Sequence, residues 1–504
     1  MPLPPARIVD TRTGLGGSSE MLGEFVPRTY TVTGVGGVPS SGVSAVVLSV
    51  TSANSSLDSG LVVWPTGETR PSVTSLSITA GRWSTNTVIT KIGPGGQVDV
   101  MNRWGETHVM FDVQGFFTDN TVTTAGGTFV PLNHDRIYDT RNGTGGSTTP
   151  LQGGVARDVQ VIGVGGVPTT NVSAVAVNIT VTNPSADTGL LAWPTGTTRP
   201  TVTTLSTNAG RTMSASAQVK VGIGGKISVF ASNGSLDLFV DVQGYYLDNT
   251  QIGRDIFVPI TPQRINSQGA MGVGGIRGVK AAGGTNTVTG AVVVRASGVT
   301  AVVVSVTATD PQGTGFFTVW PAGATRPPMS TLSYTASDNN VTNTVIVKPG
   351  SDGRINIYSS GGAPGTYVDV QGYYQKQAPP PPPTPAVSSS TQPRDAWTPT
   401  ASNVSLTFSS SSTAVTRYVY ATDDETMASA QSVTTTSGAS KTVTITPGDG
   451  WHTVYVRSID FANNLSPSRP TRSAPGRASP SPRRTAAPPG SPTSLVSLHR
   501  ITDR

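Results

Sequence analysis

Val240–Tyr246 reads VDVQGYY; the same seven residues return at Val368–Tyr374, and FDVQGFF stands at Phe111–Phe117. Each time an aspartate sits inside an apolar run, in a chain with only 12% charged residues. An acid kept at such a place is a ligand, a catalytic group or a piece of scaffold. The flanking residues narrow the choice. RIVDTRTGLGG at Arg7 matches RIYDTRNGTGG at Arg136, and a decayed RINSQGAMGVGG begins at Arg264. VVWPTGETRPSVTSLS, LAWPTGTTRPTVTTLS and TVWPAGATRPPMSTLS likewise correspond, and each copy closes on D-V-Q-G. Matching positions lie about 128 residues apart, too far for a solenoid unit and right for a whole domain.

Within a copy, AVVLSVTS and AVAVNITVT alternate apolar with Ser, Asn and Thr, as strands with one buried face do. GGQVDVM, GGKISVF and DGRINIY each set a glycine turn before an alternating strand. Gly (58) and Pro (39) punctuate short strands, and the alternation leaves little room for helix. The expected fold class is all-β. Three tandem β-sandwiches of jelly-roll or Greek-key order, with eight to ten strands each, occupy 1–119, 128–248 and 256–375. A Pro-rich linker (376–394) of polyproline II character follows. A small immunoglobulin- or fibronectin-III-like sandwich (395–470) comes next, and 471–504 reads as a disordered basic tail.

The net charge of +6 suggests nucleic acid until it is located. From Arg469 to Arg504 there are seven arginines and one aspartate, so the rest of the chain is neutral. The folded part has no electrostatic footprint for a phosphate backbone, and no nucleic-acid partner is expected. With no cysteine there is no disulfide, thiolate site or Cys nucleophile. No apolar run is long enough to span a bilayer as a helix. VPLNHDRIYDTR before the second copy aligns with MPLPPARIVDTR, so Met1 stands where Val130 does. A valine codon read as a start would produce this, with an export signal or upstream domain left off; an in-frame stop immediately before Met1 would refute it.

The combination D-T-R-x-G, G-x-G-G-V-P, W-P-x-G-x-x-R-P and D-V-Q-G-Y-Y resembles a tandem β-rich repeat of actinobacterial exported proteins, over roughly Met1–Tyr374. GDGWHTVYVRSIDFANNLSP resembles the ending of fibronectin/Ig-like modules from similar proteins, with Asn463 where that pattern has Gly. The resemblance implies an extracellular or cell-surface location beside cell-wall or polysaccharide-acting enzymes, and no settled ligand. The third copy departs from it: Asn266 and Gln268 replace the Asp and Arg of D-T-R. Asn86 and Asn343 hold a further repeated position that the second copy lacks.

The four histidines, His108, His134, His452 and His499, share no motif, and no zinc, nucleophile-elbow or phosphate-loop signature occurs. No enzyme activity, cofactor or metal is expected. The repeated acids are read as structural, in pairs with the arginine that opens each copy: Asp112 with Arg7, Asp241 with Arg136, Asp369 with Arg264. Trp64, Trp193 and Trp320 recur before a proline, and an exposed indole at a sandwich rim stacks well on the C–H face of a pyranose. These three, with Trp83 and Trp104 of the first copy alone, are the candidate carbohydrate-binding residues; the plainer reading has each Trp-Pro tryptophan plug its own core. Three functions stay open: a non-enzymatic cell-wall or glycan-binding adhesion protein, the accessory region of a larger secreted hydrolase or peptidase, or a spacer without ligand.

Overall fold

The computed structural model describes residues 1–119, 128–248, 255–271, 275–281, 294 and 297–376 of the repeat region. In the C-terminal region it describes 384–389, 403–412, 415–424, 426–436, 438–446, 452–460, 465–466 and 494–498. The first copy contributes β1 (Pro2–Asp10), β2 (Arg28–Thr31), β3 (Val43–Ala53), β4 (Ser59–Pro65), β5 (Leu76–Ile78), β6 (Ser84–Lys91), β7 (Gln97–Asn102) and β8 (His108–Thr118). They form two four-stranded antiparallel sheets in the orders β1-β8-β3-β6 and β2-β7-β4-β5. This interleaving of eight strands over two sheets is the jelly roll.

The second copy repeats it with β9 (Phe129–Asp139), β10 (Leu151–Gln152), β11 (Ala156–Gln160), β12 (Val172–Thr182), β13 (Thr188–Pro194), β14 (Leu205–Thr207), β15 (Met213–Lys220), β16 (Lys226–Ala231) and β17 (Ser235–Leu247). The sheets are β9-β17-β12-β15, with the short β10 also on β17, and β11-β16-β13-β14. The third has β18 (Asp255–Gln268), β19 (Ile276–Lys280), β20 (Val299–Thr309), β21 (Gly315–Pro321), β22 (Leu332–Tyr334), β23 (Asn340–Val347), β24 (Arg354–Ser359) and β25 (Gly365–Lys376). Its orders, β18-β25-β20-β23 and β19-β24-β21-β22, are those of the first copy.

Each sandwich encloses its own aliphatic core: Val9, Leu48, Leu61 and Val100 in the first, Val177, Leu190, Val229 and Val240 in the second, Val304, Phe317, Ile357 and Val368 in the third. The outer face of the β8-containing sheet is where the sequence misleads. Ser49 and Thr51, Asn178 and Thr180, Ser305 and Thr307 alternate with the core residues as solvated positions would, yet all six are at most 1% exposed. That face is buried against the neighbouring repeat. The three repeats form one compact unit around a shared cluster that includes Ala45, Ile89, Phe129, Ala174, Phe257, Ala301, Ile346 and Tyr374. Small Ser, Thr and Ala side chains let the sheets approach, and the hydroxyls find partners across the boundary.

The C-terminal region is a second compact unit. It comprises β26 (Ala386–Ser389), β27 (Val404–Ser409), β28 (Val415–Thr422), β29 (Gln431–Thr434), β30 (Lys441–Ile445), β31 (His452–Asp460) and β32 (Ser494–Leu498). Sheets β26-β27-β30 and β29-β28-β31-β32 make a three-on-four sandwich of fibronectin-III kind around Leu406, Phe408, Tyr418 and Val456. Two expected boundaries need correction. β26 falls inside the stretch read as linker, and β32 inside the stretch read as disordered tail. Both are edge strands, paired with β27 and β31. The rest of the expected tail lies outside the described residues.

Candidate functional site

The D-V-Q-G strand explains itself residue by residue. Asp112, Asp241 and Asp369 lie directly across from Arg7, Arg136 and Arg264 on the opening strand of the same repeat. Arg7 donates from Nε to Asp112 Oδ1 at 2.7 Å and from Nη2 to Oδ2 at 2.9 Å. Arg136 and Arg264 make the same two-pronged contact with Asp241 and Asp369. The acids are at most 1% exposed, so the guanidinium replaces the water that each carboxylate has lost.

Asp112 and Asp369 do more. Asp112 Oδ2 accepts from the Thr203 amide of repeat 2 at 3.1 Å, and Asp369 Oδ2 from the Thr74 amide of repeat 1 at 3.0 Å. At the remaining boundary Asn178 stands where the other copies have serine, and it donates to Ser330 O at 3.0 Å. Burial pushes the Asp241 carboxyl up to about 6 against the pull of Arg136.

The glutamine sits at a β-bulge. Between Ala176 and Val177 the register on β17 jumps from Gly244 to Val242, so Gln243 has no cross-strand partner, and Gln114 and Gln371 are skipped in the same way. Freed from the ladder, these side chains cross to the next repeat. Gln114 Oε1 accepts from the Gln218 amide at 3.1 Å, Gln243 from Ile346 at 3.1 Å and Gln371 from Ile89 at 2.7 Å. Those amides belong to β15, β23 and β6, edge strands in their sheets. Repeat 1 caps repeat 2, repeat 2 caps repeat 3 and repeat 3 caps repeat 1. The ring is closed. The glycine that follows admits the opening strand: a Cβ on Gly244 would stand 2.4 Å from Phe129 Cζ and 2.7 Å from Val130 O.

The D-T-R aspartate closes locally. Asp10 accepts from the amide and guanidinium of Arg12 and from Arg7, and Asp139 does the same with Arg141 and Arg136. Asn86 and Asn343 join boundaries, accepting from the amides of Thr344 and Ser216; the second copy has Ala215 there, and Thr87 Oγ1 donates to Ser216 O instead.

His134 is buried, and its Nε2 donates to Ile346 O at 2.8 Å across the boundary between repeats 2 and 3. A carbonyl only accepts, so this nitrogen carries the proton of the neutral ring. Burial lowers its pKa from 6.5 to about 4. The fold therefore holds His134 neutral, and its contribution is intact above pH 6.5 and lost as pH falls from 6.5 to 4. Asp241, raised in the fold, works in the opposite sense: its penalty on the fold fades as pH falls from about 6 towards 3.8. We expect wild type to lose roughly 3 kcal/mol relative to His134→Gln between pH 7 and 4. Urea midpoints at both pH values read the difference; parallel pH profiles would show that His134 carries no titration penalty. His108 shares a hydrogen bond with Thr11 Oγ1. The side chain of His452 and all of His499 lie outside the described residues. Among the described residues no group of His, Asp and Glu is arranged to hold a metal ion.

The Trp-Pro tryptophans do not face solvent, which corrects their reading as sugar platforms. Trp64, Trp193 and Trp320 are 3%, 5% and 3% exposed. Each indole N–H turns back to its own loop, to Glu68 O, Thr197 O and Ala324 O. Trp64 packs with Val62, Val73 and Met101 beneath the loop that offers the Thr74 amide to Asp369. The R-P arginine covers the same region, Arg199 over Phe230 at 4.0 Å and Arg326 over Tyr358 at 3.7 Å. These residues set the shape of the boundary loop.

Trp83 and Trp104 are different, at 40% and 46% exposed. Trp83 overhangs a cleft of about 470 Å³ between repeats 1 and 2. Repeat 2 supplies the opposite wall, with Asp187, Asn208, Asn233, Arg199 and Phe230. Asp187 accepts from the Ala209 amide at 2.9 Å and from Asn208 Nδ2 at 3.0 Å; these bonds hold its carboxyl below the usual range. Arg12 lies over the Trp83 ring at 5.0 Å. The cleft thus joins one partly exposed aromatic ring to an ionised acceptor, amides and a guanidinium. Its far wall is invisible in the sequence, because Trp83 and Asp187 meet only when two repeats pack.

No family model matches the chain, and no curated protein matches it. Among solved structures, one is described as "The Triple Jelly Roll Fold and Turret Assembly in an Archaeal Virus". It is 10% identical, with 75% of this chain and 96% of that one covered and a TM-score of 0.17. The chicken CNTN1 FN1-FN3 domains are 11% identical, with 63% and 96% covered and a TM-score of 0.14. The fold assignment rests on the strand orders.

Proposed function

We propose that this chain is a non-enzymatic, extracellular or cell-surface protein that binds a wall-type polysaccharide. The ring of three jelly rolls serves as its rigid binding head. The observation that carries this reading is the Trp83 cleft. A pyranose chain needs an aromatic plane for its C–H face and fixed acceptors and donors for its hydroxyls, and the cleft offers Trp83, Asp187, Asn208 and Asn233. Its walls are preformed by repeat packing, which limits the ordering entropy lost on binding. The N-acetylated glycans of a bacterial wall suit a cleft rich in amides and hydroxyls, and the repeat resemblance supports the same location.

The test is retention on insoluble peptidoglycan and chitin. Wild type is retained, and Trp83→Ala loses at least tenfold in affinity with an unchanged melting temperature. Trp320→Ala, which empties a buried site remote from that cleft, costs about 3–5 kcal/mol of stability and leaves retention of the folded fraction intact. Absence of retention by wild type on both polymers would refute the reading and leave the spacer and the accessory region of a larger enzyme.

A further inference from the structure

The closed ring makes the boundaries between repeats equivalent, so a site at one has counterparts at the others. Between repeats 3 and 1 lies a second cleft, of about 610 Å³, lined by Leu57, Asp58, Ser59, Trp104, Asn339 and Asn340. Superposing strand registers puts Asp58 at the place of Asp187, since Ser59 and Thr188 pair with Ile78 and Thr207 in the same hairpin position. The two aspartates are fixed alike: Asp58 Oδ1 accepts from the Ala80 amide at 2.7 Å, as Asp187 does from Ala209. Asn340 opens β23 at the place that Trp83 holds just before β6, since Thr342 and Thr85 pair with Thr307 and Thr51, and Asn339 precedes it.

The tryptophan has changed walls. In the first cleft the indole comes from the turn of the preceding repeat and the amide of Asn233 from the following one. In the second, Asn339 and Asn340 come from the preceding repeat and Trp104, at the position of Asn233, from the following one. Both clefts therefore hold one exposed indole, one anchored aspartate and asparagine amide, in mirrored placement. Trp104 is braced edge-on by Phe25, ring centroids 6.4 Å apart, so its exposed plane is held in place. The third boundary is unlike them: Thr212 takes the place of Trp83, and Arg211 crosses to an ion pair with Asp338.

We infer that the Trp104 cleft is a second glycan-binding site, so that the head is bivalent for the polysaccharide class assigned to the Trp83 cleft. The inference rests on that reading. Two sites fixed on one rigid unit engage one polymer or two neighbouring strands, and the second contact is made at high effective concentration.

Isothermal titration of the full chain with the β-1,4-linked tetramer of N-acetylglucosamine decides it, alongside Trp83→Ala, Trp104→Ala and the double variant. Both indoles are exposed, so the variants keep their melting temperatures. The expected result is two tetramers per wild-type chain, one for each single variant and none for the double. Retention of the double variant on insoluble polymer falls by more than the product of the two single losses. One tetramer per wild-type chain, abolished by Trp83→Ala and untouched by Trp104→Ala, would overturn the second site and keep the first. Binding that neither substitution alters would overturn both placements. Absence of heat in wild type would remove the reading on which both stand.

Discussion

Asp369→Ala lowers the stability of the three-repeat unit by about 3–5 kcal/mol, the most of the three repeated aspartates. The reason lies in what each acid leaves behind. Arg7 and Arg136 keep a second carboxylate, Asp10 or Asp139, when their first is removed. Arg264 keeps none from that motif: the register places Ser267, not Asn266, across from Tyr367 as Asp139 lies across from Phe239, and serine carries no charge. Arg264 lies over Tyr367 at 3.9 Å with only 16% of its side chain exposed, and the charge of Arg103 from repeat 1 acts on the same spot. Losing Asp369 thus leaves two cations facing each other and the Thr74 amide without its acceptor. Asp112→Ala ranks second, since Arg7 retains Asp10 while the Thr203 amide is orphaned. Asp241→Ala ranks last, because the structure shows no amide from repeat 3 donating to it, among the described residues. Urea midpoints at constant m give the order; equal losses, or Asp241 foremost, would refute the account.

Replacing Gln114, Gln243 and Gln371 together by methionine is the second large effect. Methionine keeps the length of the side chain but accepts no comparable bond, so three buried edge-strand amides lose their partners. At about 1–3 kcal/mol each, the triple variant loses roughly 3–9 kcal/mol, with near additivity because each glutamine serves a different boundary. The distribution matters more than the sum. The sandwich cores are untouched and only the caps between repeats are removed, so calorimetry of the variant should split one repeat-region transition into several. A single transition at the wild-type temperature would show that the caps do not couple the repeats.

What could be read from the sequence follows from where each partner lies. The Arg7–Asp112 contact is legible because both residues recur in every copy, and the opening and closing strands of a sandwich pair naturally. The strand alternation was legible as sandwich strands, though it says nothing of what covers the second face. Ser49 and Thr51 look solvated within one repeat and are buried only by the next. Gln114 could not be interpreted at all, because its partner is an amide in another copy and the bulge that aims it has no side-chain signature. The Trp-Pro tryptophans were open to a wrong reading for a related reason. A rim position is exposed in an isolated sandwich, whereas here the loop of residues 66–75 folds over Trp64 to meet its neighbour.

Three subunits related by true symmetry would suffer every substitution three times over. Carried on a single chain, the ring escapes that constraint. Repeat 2 can hold alanine where its siblings hold asparagine, repeat 3 can discard the D-T-R pair, and neither change is copied to a boundary that needs the original. Repetition within one chain thereby makes one head-to-tail contact into three independently adjustable ones. Two have acquired a tryptophan and the third an ion pair, a division of labour that no homotrimer of a single repeat could encode.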